Sequence, residues 1–473
     1  MAPFSFYWHD YETFGVRPRR DRPAQFAGVR TDEDLNEIDA PLTLYCKPSP
    51  DSLPEPEACL ITGITPQVCE TRGVSERTFA DNIEAQLAKP GTVGCGYNSL
   101  RFDDEVTRFL FWRNLIDPYA REWQNECGRW DLLDALRCAW ALRPEGITWP
   151  TREEGKPSFR LEQLAAANGV AHEAAHDALS DVRATIAMAR LLKTKQPKLW
   201  AHCLKLHKKQ AVIDEIGIGR PFVHLSGRYP VERGCMAVVW PMAPHPKFKN
   251  ELIVWDLAFD PRELFTLNAQ AIRERLFTAA ADLPAGQARL PIKTIHLNKS
   301  PIVIANLKTL GDATMRWGID LDQAHRHAET AARRANSMAG IWPDVFERTP
   351  ATEPVDVDED LYGGFLDNDD RRALQRLRAL PPDKLAERRP AFNDARLDEL
   401  LLRFRARNHL DTLNAVDRAG WQAHCAARWR EAPSWLARIG ALEATADERG
   451  RRVLAELRAW AALSSPLSQD ARA

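Results

Sequence analysis

Three short stretches of the 473-residue chain carry side chains that could do chemistry together. In the first, an apolar and aromatic run over residues 4–9 is closed by Asp10 and Glu12. Strand side chains alternate, so these two carboxylates leave the backbone on one face, close enough to share a hard cation through oxygen ligands. Buried without a partner they would be costly, so either solvent at the strand's exit or a bound metal must compensate them. The second stretch places Asp103 and Asp104 at the start of a helical pattern after Asn98. The first-turn N–H groups of a helix favour carboxylates, and either residue could equally be a plain cap. The third, residues 172–182, offers two registers of a histidine five residues before an aspartate: His172 with Asp177, and His176 with Asp181. Helical geometry favours the second, because Asp181 shares a face with Thr185, Met188 and Leu192 while Asp177 falls where a cap belongs. His176 then lies just before the helix, on a loop able to approach a substrate.

As a set, Asp10, Glu12, one aspartate of 103 or 104, His176 and Asp181 could hold two divalent cations roughly 4 Å apart, the spacing that clamps both oxygens of an in-line phosphoryl displacement. A neutral histidine nearby can accept the proton of the attacking water.

Positioning such a set requires a sheet with helices at its strand ends. The aromatic run reads as a buried strand, and residues 24–31 and 38–47 as an antiparallel hairpin after it. A helix is expected near 76–88, a strand running into a turn at 91–98, and helices over 102–114, 158–168 (stopped by Gly169) and 177–193. Strands interleaved with helices make this an α/β sheet. A basic segment, 193–209, follows and reads as a solvated helix and linker. Short apolar strands at 221–226, 235–242, 251–257, 291–297 and 301–305 then predict a small β-barrel or sandwich. An acid-rich stretch at 350–370 marks a boundary, and Leu, Ala, Arg and Glu at helical spacing over 370–465 predict a helical bundle.

The length suggests about two to four domains. An apolar share of 44% and a charged share of 27% are those of an ordinary soluble protein. Neither a membrane span nor a leader peptide is evident, so the chain is expected in the cytoplasm. Its nine cysteines are scattered with no C-x-x-C pair, which predicts reduced core thiols in place of zinc ligands or disulfides. A net charge of −2 gives no sign of a nucleic-acid partner but is compatible with a basic groove balanced elsewhere.

The motifs H-D-Y-E-T-F-G, N-x3-F-D from Asn98 to Asp103, and A-H-D-A-x2-D-V resemble the three exonuclease motifs of the DEDDh superfamily, whose fold is ribonuclease H-like. More narrowly, the chain resembles bacterial exonuclease I over nearly its whole length. The similar stretches include R-P-A-Q-F-A at 22–27, L-I-T-G-I-T-P-Q at 60–67, R-F-D-D-E-V-T-R at 101–108, P-S-F-R-L-E at 157–162, L-Y-G-G-F at 361–365 and F-R-A-R-N at 404–408. The family pattern assigns the third carboxylate to Asp103 and the histidine to His176. It implies an exonuclease domain over 1–196, an SH3-like β-barrel domain over 197–348 and a helical domain over 349–473. It further implies a processive 3′-to-5′ exonuclease that releases 5′-mononucleotides from single-stranded DNA with two Mg²⁺ ions, for which Mn²⁺ would substitute, in DNA repair and recombination.

Arg108, Tyr119, Trp123, Arg137 and Arg160 offer guanidinium and aromatic groups suited to phosphate contacts and base stacking. The resemblance singles out Arg160 as a direct substrate contact beside Glu12, with Lys293, Asn298 and Lys299 as counterparts from the barrel. It also implies a monomer that docks the acidic C-terminal tail of single-stranded DNA-binding protein, with Arg143 and Arg220 at family positions. The chain departs from that pattern at His202 and over residues 302–311, which predicts a weaker tail site. Two other readings remain: a DEDDh exonuclease acting on RNA ends, since the motifs do not distinguish ribose from deoxyribose, and a non-catalytic strand-binding scaffold, which would require one of the five residues to be missing.

Overall fold

The computed structural model describes residues 4–152, 155–171, 177–347, 355–387 and 390–464. The chain divides into two compact units, each assembled from separated segments. The first comprises Met1–Gly128, His172–Ile186 and Glu353–Ala473, and the second Arg129–Ala171 and Ala187–Thr352.

In the first unit, β1 (Ser5–Thr13) lies between β2 (Pro23–Thr31), which it pairs antiparallel, and β4 (Thr92–Gly96), which it pairs in parallel; β3 (Leu42–Tyr45) extends the hairpin. The sheet is therefore mixed. Nearly every residue of β1 and all of β2 are buried, as the unbroken apolar run of residues 4–9 requires. The expectation that Asp10 and Glu12 close the strand needs correcting, since β1 runs on to Thr13. Two neighbours of unequal reach account for this. Pairing with β4 ends at Trp8 opposite Cys95, whereas β2 accompanies β1 to Thr13, with an irregularity after Glu12.

Tyr7, Tyr11 and Phe26 pack with Phe79 and Ile83 of the helix Glu76–Leu87 and with Val106, Leu110 and Phe111 of the helix Asp103–Arg113. The opposite side of that second helix, Phe109 and Trp112, is covered by C-terminal residues including Leu374, Leu397, Leu400 and Phe404. Phe14 and Ala24 share a further core with Trp429, Trp435 and Trp460. The C-terminal helices thus belong to the same packed body as the sheet.

β5 (Gly128–Asp131) leads the chain into the second unit. There β6 (Phe222–Leu225), β7 (Met236–Pro244), β8 (Glu251–Asp256), β9 (Ile292–His296) and β10 (Ile302–Ile304) form one antiparallel sheet in the order β10-β6-β7-β8-β9. A single sheet decides for the barrel type over a sandwich. Its core includes Phe222, Val239, Val254, Ile295 and Val303. The basic segment expected as a helix and linker ends the helix Ala178–Lys195, forms the helix Pro197–Lys205 and opens the helix Lys209–Ile216; Leu206, between the last two, completes that core with Val212 and Ile216. The nine cysteines are free and buried. Among the described residues no helix is long and apolar enough to cross a membrane.

Candidate active site

Asp10 and Glu12 leave the same face of β1, and Asp181 stands in the first turn of the helix Ala178–Lys195. Each of the three offers an oxygen, and these atoms lie within 4.8 Å of one another. The fourth carboxylate comes from the start of the helix Asp103–Arg113. Past Trp8 the strand has lost its β4 partner, and the Tyr11 N–H donates there to Asp103 Oδ1 at 3.1 Å. The neighbouring aspartate is committed elsewhere, since Asp104 Oδ1 accepts from Arg121 Nη2 at 2.6 Å in a pair buried on both sides. The two aspartates that spacing alone could not separate are thereby given different surroundings.

The electrostatics of the cluster reflect crowding. Burial, then the charges of Asp103, Glu12 and Asp181, push the Asp10 carboxyl well above the usual carboxylate range. Burial, then Asp181, Asp103 and Asp177, raise Glu12 to about 8. Like charges packed this closely cannot all remain ionised unless cations or protons join them. The donor set is all carboxylate oxygen, the chemistry that Mg²⁺ and Mn²⁺ prefer.

Asp177 has the cap surroundings expected of it, accepting from the Ser180 N–H at 3.3 Å and from Gln25 Nε2 at 3.2 Å. Gln25 Oε1 in turn accepts the Ala178 N–H at 3.4 Å, so β2 helps to seat the helix that carries Asp181. Sequence reasoning missed Gln25 and Arg121. The signal for the first was its place in R-P-A-Q-F-A, and periodicity assigns nothing to the second. His172 and His176 lie outside the described residues.

The substrate-contact candidates have unequal surroundings. In the first unit Arg108 is buried, its guanidinium gripped by Glu122 at 2.7 and 3.0 Å, by Glu105 at 2.7 Å and by the Tyr362 hydroxyl at 3.0 Å. It would reach a phosphate only by leaving them. Tyr119 lies beneath it, ring centroid 5.2 Å from the guanidinium carbon, whereas Trp123 is 67% exposed. In the second unit Arg137 pairs with Asp134 at 2.7 Å and lies over the Phe159 ring. Arg160 is exposed, immediately before the helix Leu161–Ala167. Lys293 sits 3.7 Å above the Tyr229 ring and donates to the Arg228 carbonyl at 2.7 Å; burial lowers its pKa to about 8. The Asn298 carbonyl accepts from Arg129 at 3.1 Å, and Lys299 is half-buried.

The two tail-site arginines also differ. Arg143 donates to the Thr309 carbonyl at 3.0 Å and lines a cavity of about 560 Å³ with Leu142, Leu199, His202 and Ile304. Arg220 is exposed and caps the helix Lys209–Ile216, donating to the carbonyls of Ile216 at 3.2 Å and Glu215 at 3.1 Å. Of these two residues, Glu215 also lines the cavity.

Known proteins share this arrangement along the whole chain. Residues 7–189 match the exonuclease family, 207–348 the exonuclease I SH3-like domain and 355–464 the exonuclease I C-terminal domain. The exodeoxyribonuclease I of Haemophilus influenzae is 44% identical, with 90% of each chain covered. Exonuclease I from Methylocaldum szegediense superposes with a TM-score of 0.92 at 48% identity, covering 98% of this chain and 99% of that one. The zinc-bound form of the E. coli exonuclease I complex with single-stranded DNA superposes with a TM-score of 0.91 at 40% identity, over 98% and 99%. With its carboxylate cluster, its mixed sheet and all three matched regions in order, this chain belongs to the bacterial exonuclease I family.

Proposed function

We infer that this protein is a divalent-cation-dependent exonuclease that shortens single-stranded DNA from its 3′ end and releases 5′-mononucleotides. The observation that carries the reading is the carboxylate cluster, in which Asp10, Glu12 and Asp181 converge within 4.8 Å and Asp103 acts electrostatically on Asp10 and Glu12. Crowded hard oxygen donors suit two Mg²⁺ ions, with Mn²⁺ as substitute. Bound cations supply Lewis acidity at the attacking and leaving oxygens of a phosphodiester displacement. The protein's residues do the rest. Asp10, Glu12, Asp103 and Asp181 hold the site, and His176 accepts the proton of the attacking water. Glu12 also contacts the terminal nucleotide.

Exposed Arg160, with Lys293, Asn298 and Lys299, guides the phosphates of the strand, while Trp123 and Tyr119 give bases an aromatic surface. Arg108 supports this surface from above the Tyr119 ring, and Arg137 is a further contact for the phosphates. The division into an exonuclease domain at 1–196, an SH3-like barrel domain at 197–348 and a helical domain at 349–473 is supported by the spans of the three matched regions. We place the enzyme in DNA repair and recombination, working processively as a monomer in the cytoplasm, a reducing compartment in keeping with nine free thiols. The cavity beside Arg143 is the proposed seat for the C-terminal tail of single-stranded DNA-binding protein. Its apolar wall would take the tail's hydrophobic residue, and Arg143, Lys198 and Lys205 its carboxylates.

The test is incubation with end-labelled single-stranded DNA, blunt duplex and RNA, with Mg²⁺ or with EDTA. Mononucleotides released from the 3′ end of single-stranded DNA, only with Mg²⁺, are the expected result. Release from the 5′ end, full activity in EDTA or a preference for RNA would overturn it.

A further inference from the structure

We propose that Tyr11 and Thr107 are positioning residues for the cation site, acting through Asp103 by a hydrogen-bonded loop that fixes both the main chain and the side chain of that carboxylate. The proposal rests on the cation-site reading above. Tyr11 stands between Asp10 and Glu12, but strand alternation sends its ring to the opposite face, into the core with Phe26, Phe79 and Val106. From there it reaches Asp103 twice. Its backbone N–H donates to Asp103 Oδ1 at 3.1 Å. Its phenol oxygen lies 3.0 Å from Thr107 Oγ1, and Thr107 Oγ1 donates to the Asp103 carbonyl at 2.8 Å.

A threonine hydroxyl has one hydrogen. Since Thr107 gives it to Asp103, the hydrogen of the Tyr11–Thr107 contact must come from Tyr11, and the order is Tyr11 O–H to Thr107 O–H to the Asp103 carbonyl. One strand residue thus sets the height of the helix through its side chain and the plane of the carboxylate through its main chain. Asp104, held by Arg121, is a separate anchor on the same first turn.

Burial alone does not explain the loop. Tyr7 lies four residues earlier on the same face of β1, is 2% exposed, and its buried hydroxyl has no hydrogen-bond partner among the described residues. The core tolerates a tyrosine there without satisfying its hydroxyl, whereas at Tyr11 the hydroxyl is tied to the residue that bears a site carboxylate. Carboxylate sites lose affinity when such outer partners are removed, by about 10- to 100-fold in known metal sites.

The experiment measures Mn²⁺ binding without DNA, by the loss of the free-ion electron paramagnetic resonance signal, for the full chain and its variants. Tyr11→Phe and Thr107→Val should each bind Mn²⁺ about tenfold more weakly. Combining them should add little, because both break one chain of bonds. Thr107→Ser, which keeps the hydroxyl, and Tyr7→Phe should bind as the wild type does. At saturating Mn²⁺ the first two variants should regain kcat while still needing more metal for half-maximal rate. If Tyr11→Phe and Thr107→Val melt earlier but bind Mn²⁺ as tightly as the wild type, while Asp103→Asn does not, the positioning role is overturned and the cation site stands. If Asp103→Asn also binds like the wild type, the cation-site reading itself fails.

Discussion

Burial and three neighbouring carboxylates raise Glu12 to about 8, against 4.5 for a free glutamate, so the cation-free protein holds a proton there through neutral pH. The linkage has a definite sign. Between pH 4.5 and about 8 the folded state binds more protons at this residue than the unfolded chain does, so its contribution to stability is full below 4.5 and is lost as pH rises through 8. In EDTA the melting temperature should fall from pH 5 to pH 8, and Glu12→Gln should flatten that decline. A divalent cation replaces the proton, so the stabilisation by Mn²⁺ should be larger at pH 8 than at pH 6; an increment independent of pH would separate Glu12 from the metal. At His176 the expected loss is kinetic. His176→Ala should slow hydrolysis by about 10²–10⁴-fold with little change in DNA binding, and His172→Ala should not. A crippled His172 variant beside an active His176 variant would reverse the register. The pair Asp10 and Glu12 was legible in the sequence because alternation alone puts both on one face. Spacing did not separate Asp103 from Asp104, because both occupy a first helical turn, and only the family pattern chose Asp103. What divides them is Arg121, 17 residues beyond Asp104, and no local pattern announces it.

The helix Asp103–Arg113 shows how far spacing carries at the scale of an element. Its start after Asn98 and its apolar positions were readable, but Phe109 and Trp112 are covered by Leu374, Leu397, Leu400 and Phe404, far along the chain. A second tie between distant segments was equally invisible. Asp51, in a loop of the first unit, accepts from Arg22 at 3.0 Å and Arg407 at 2.6 Å, and Asp358 accepts from Arg22 at 3.3 Å and Arg403 at 3.2 Å as well as from Arg407. All five side chains are nearly or fully buried. Charged residues read from sequence default to the surface, and nothing local shows that these pair in the interior. Arg407→Ala should cost about 3 kcal/mol, because it removes the guanidinium shared by both buried carboxylates and leaves Arg22 and Arg403 to balance them, and urea melts would measure it. The tie should also fail in acid. Despite its burial, the Arg407 and Arg22 guanidiniums hold Asp51 well below its free value of 3.8, so the stability it lends is present above that pH and is lost as pH falls further. Wild-type protein should therefore unfold in acid below about pH 4 with a steeper pH slope than Arg407→Ala; equal slopes would count against the network.

For the whole molecule, composition was a poor guide to partners and order along the chain a good one. A net charge of −2 gives no hint of a nucleic-acid enzyme. The succession of α/β sheet, short strands of a barrel or sandwich and C-terminal helices was nonetheless readable from periodicity, because each region has its own pattern. What periodicity could not supply is that the first sheet and the last helices form one core, which requires contacts across most of the chain. The same limit applies to the proposed tail site, where two arginines were equivalent by position and the structure gives them different work. Arg143 lines the 560 Å³ cavity with apolar neighbours, whereas exposed Arg220 is bound to carbonyls at a helix end. A guanidinium beside an apolar wall is better placed to take a carboxylate whose hydrophobic neighbour enters the cavity. Arg143→Ala should therefore weaken binding of a labelled tail peptide about tenfold, within the range for a charged hydrogen bond, and Arg220→Ala by no more than about threefold. Both variants should digest bare single-stranded DNA at the wild-type rate. Binding should also fall steeply between 50 and 300 mM salt, because the lysines around the cavity, Lys198 and Lys205, act through screened charge. Identical peptide titrations for the wild type and Arg143→Ala would move the tail off this cavity, and a larger loss from Arg220→Ala would place its carboxylate at the far end of the helix Lys209–Ile216.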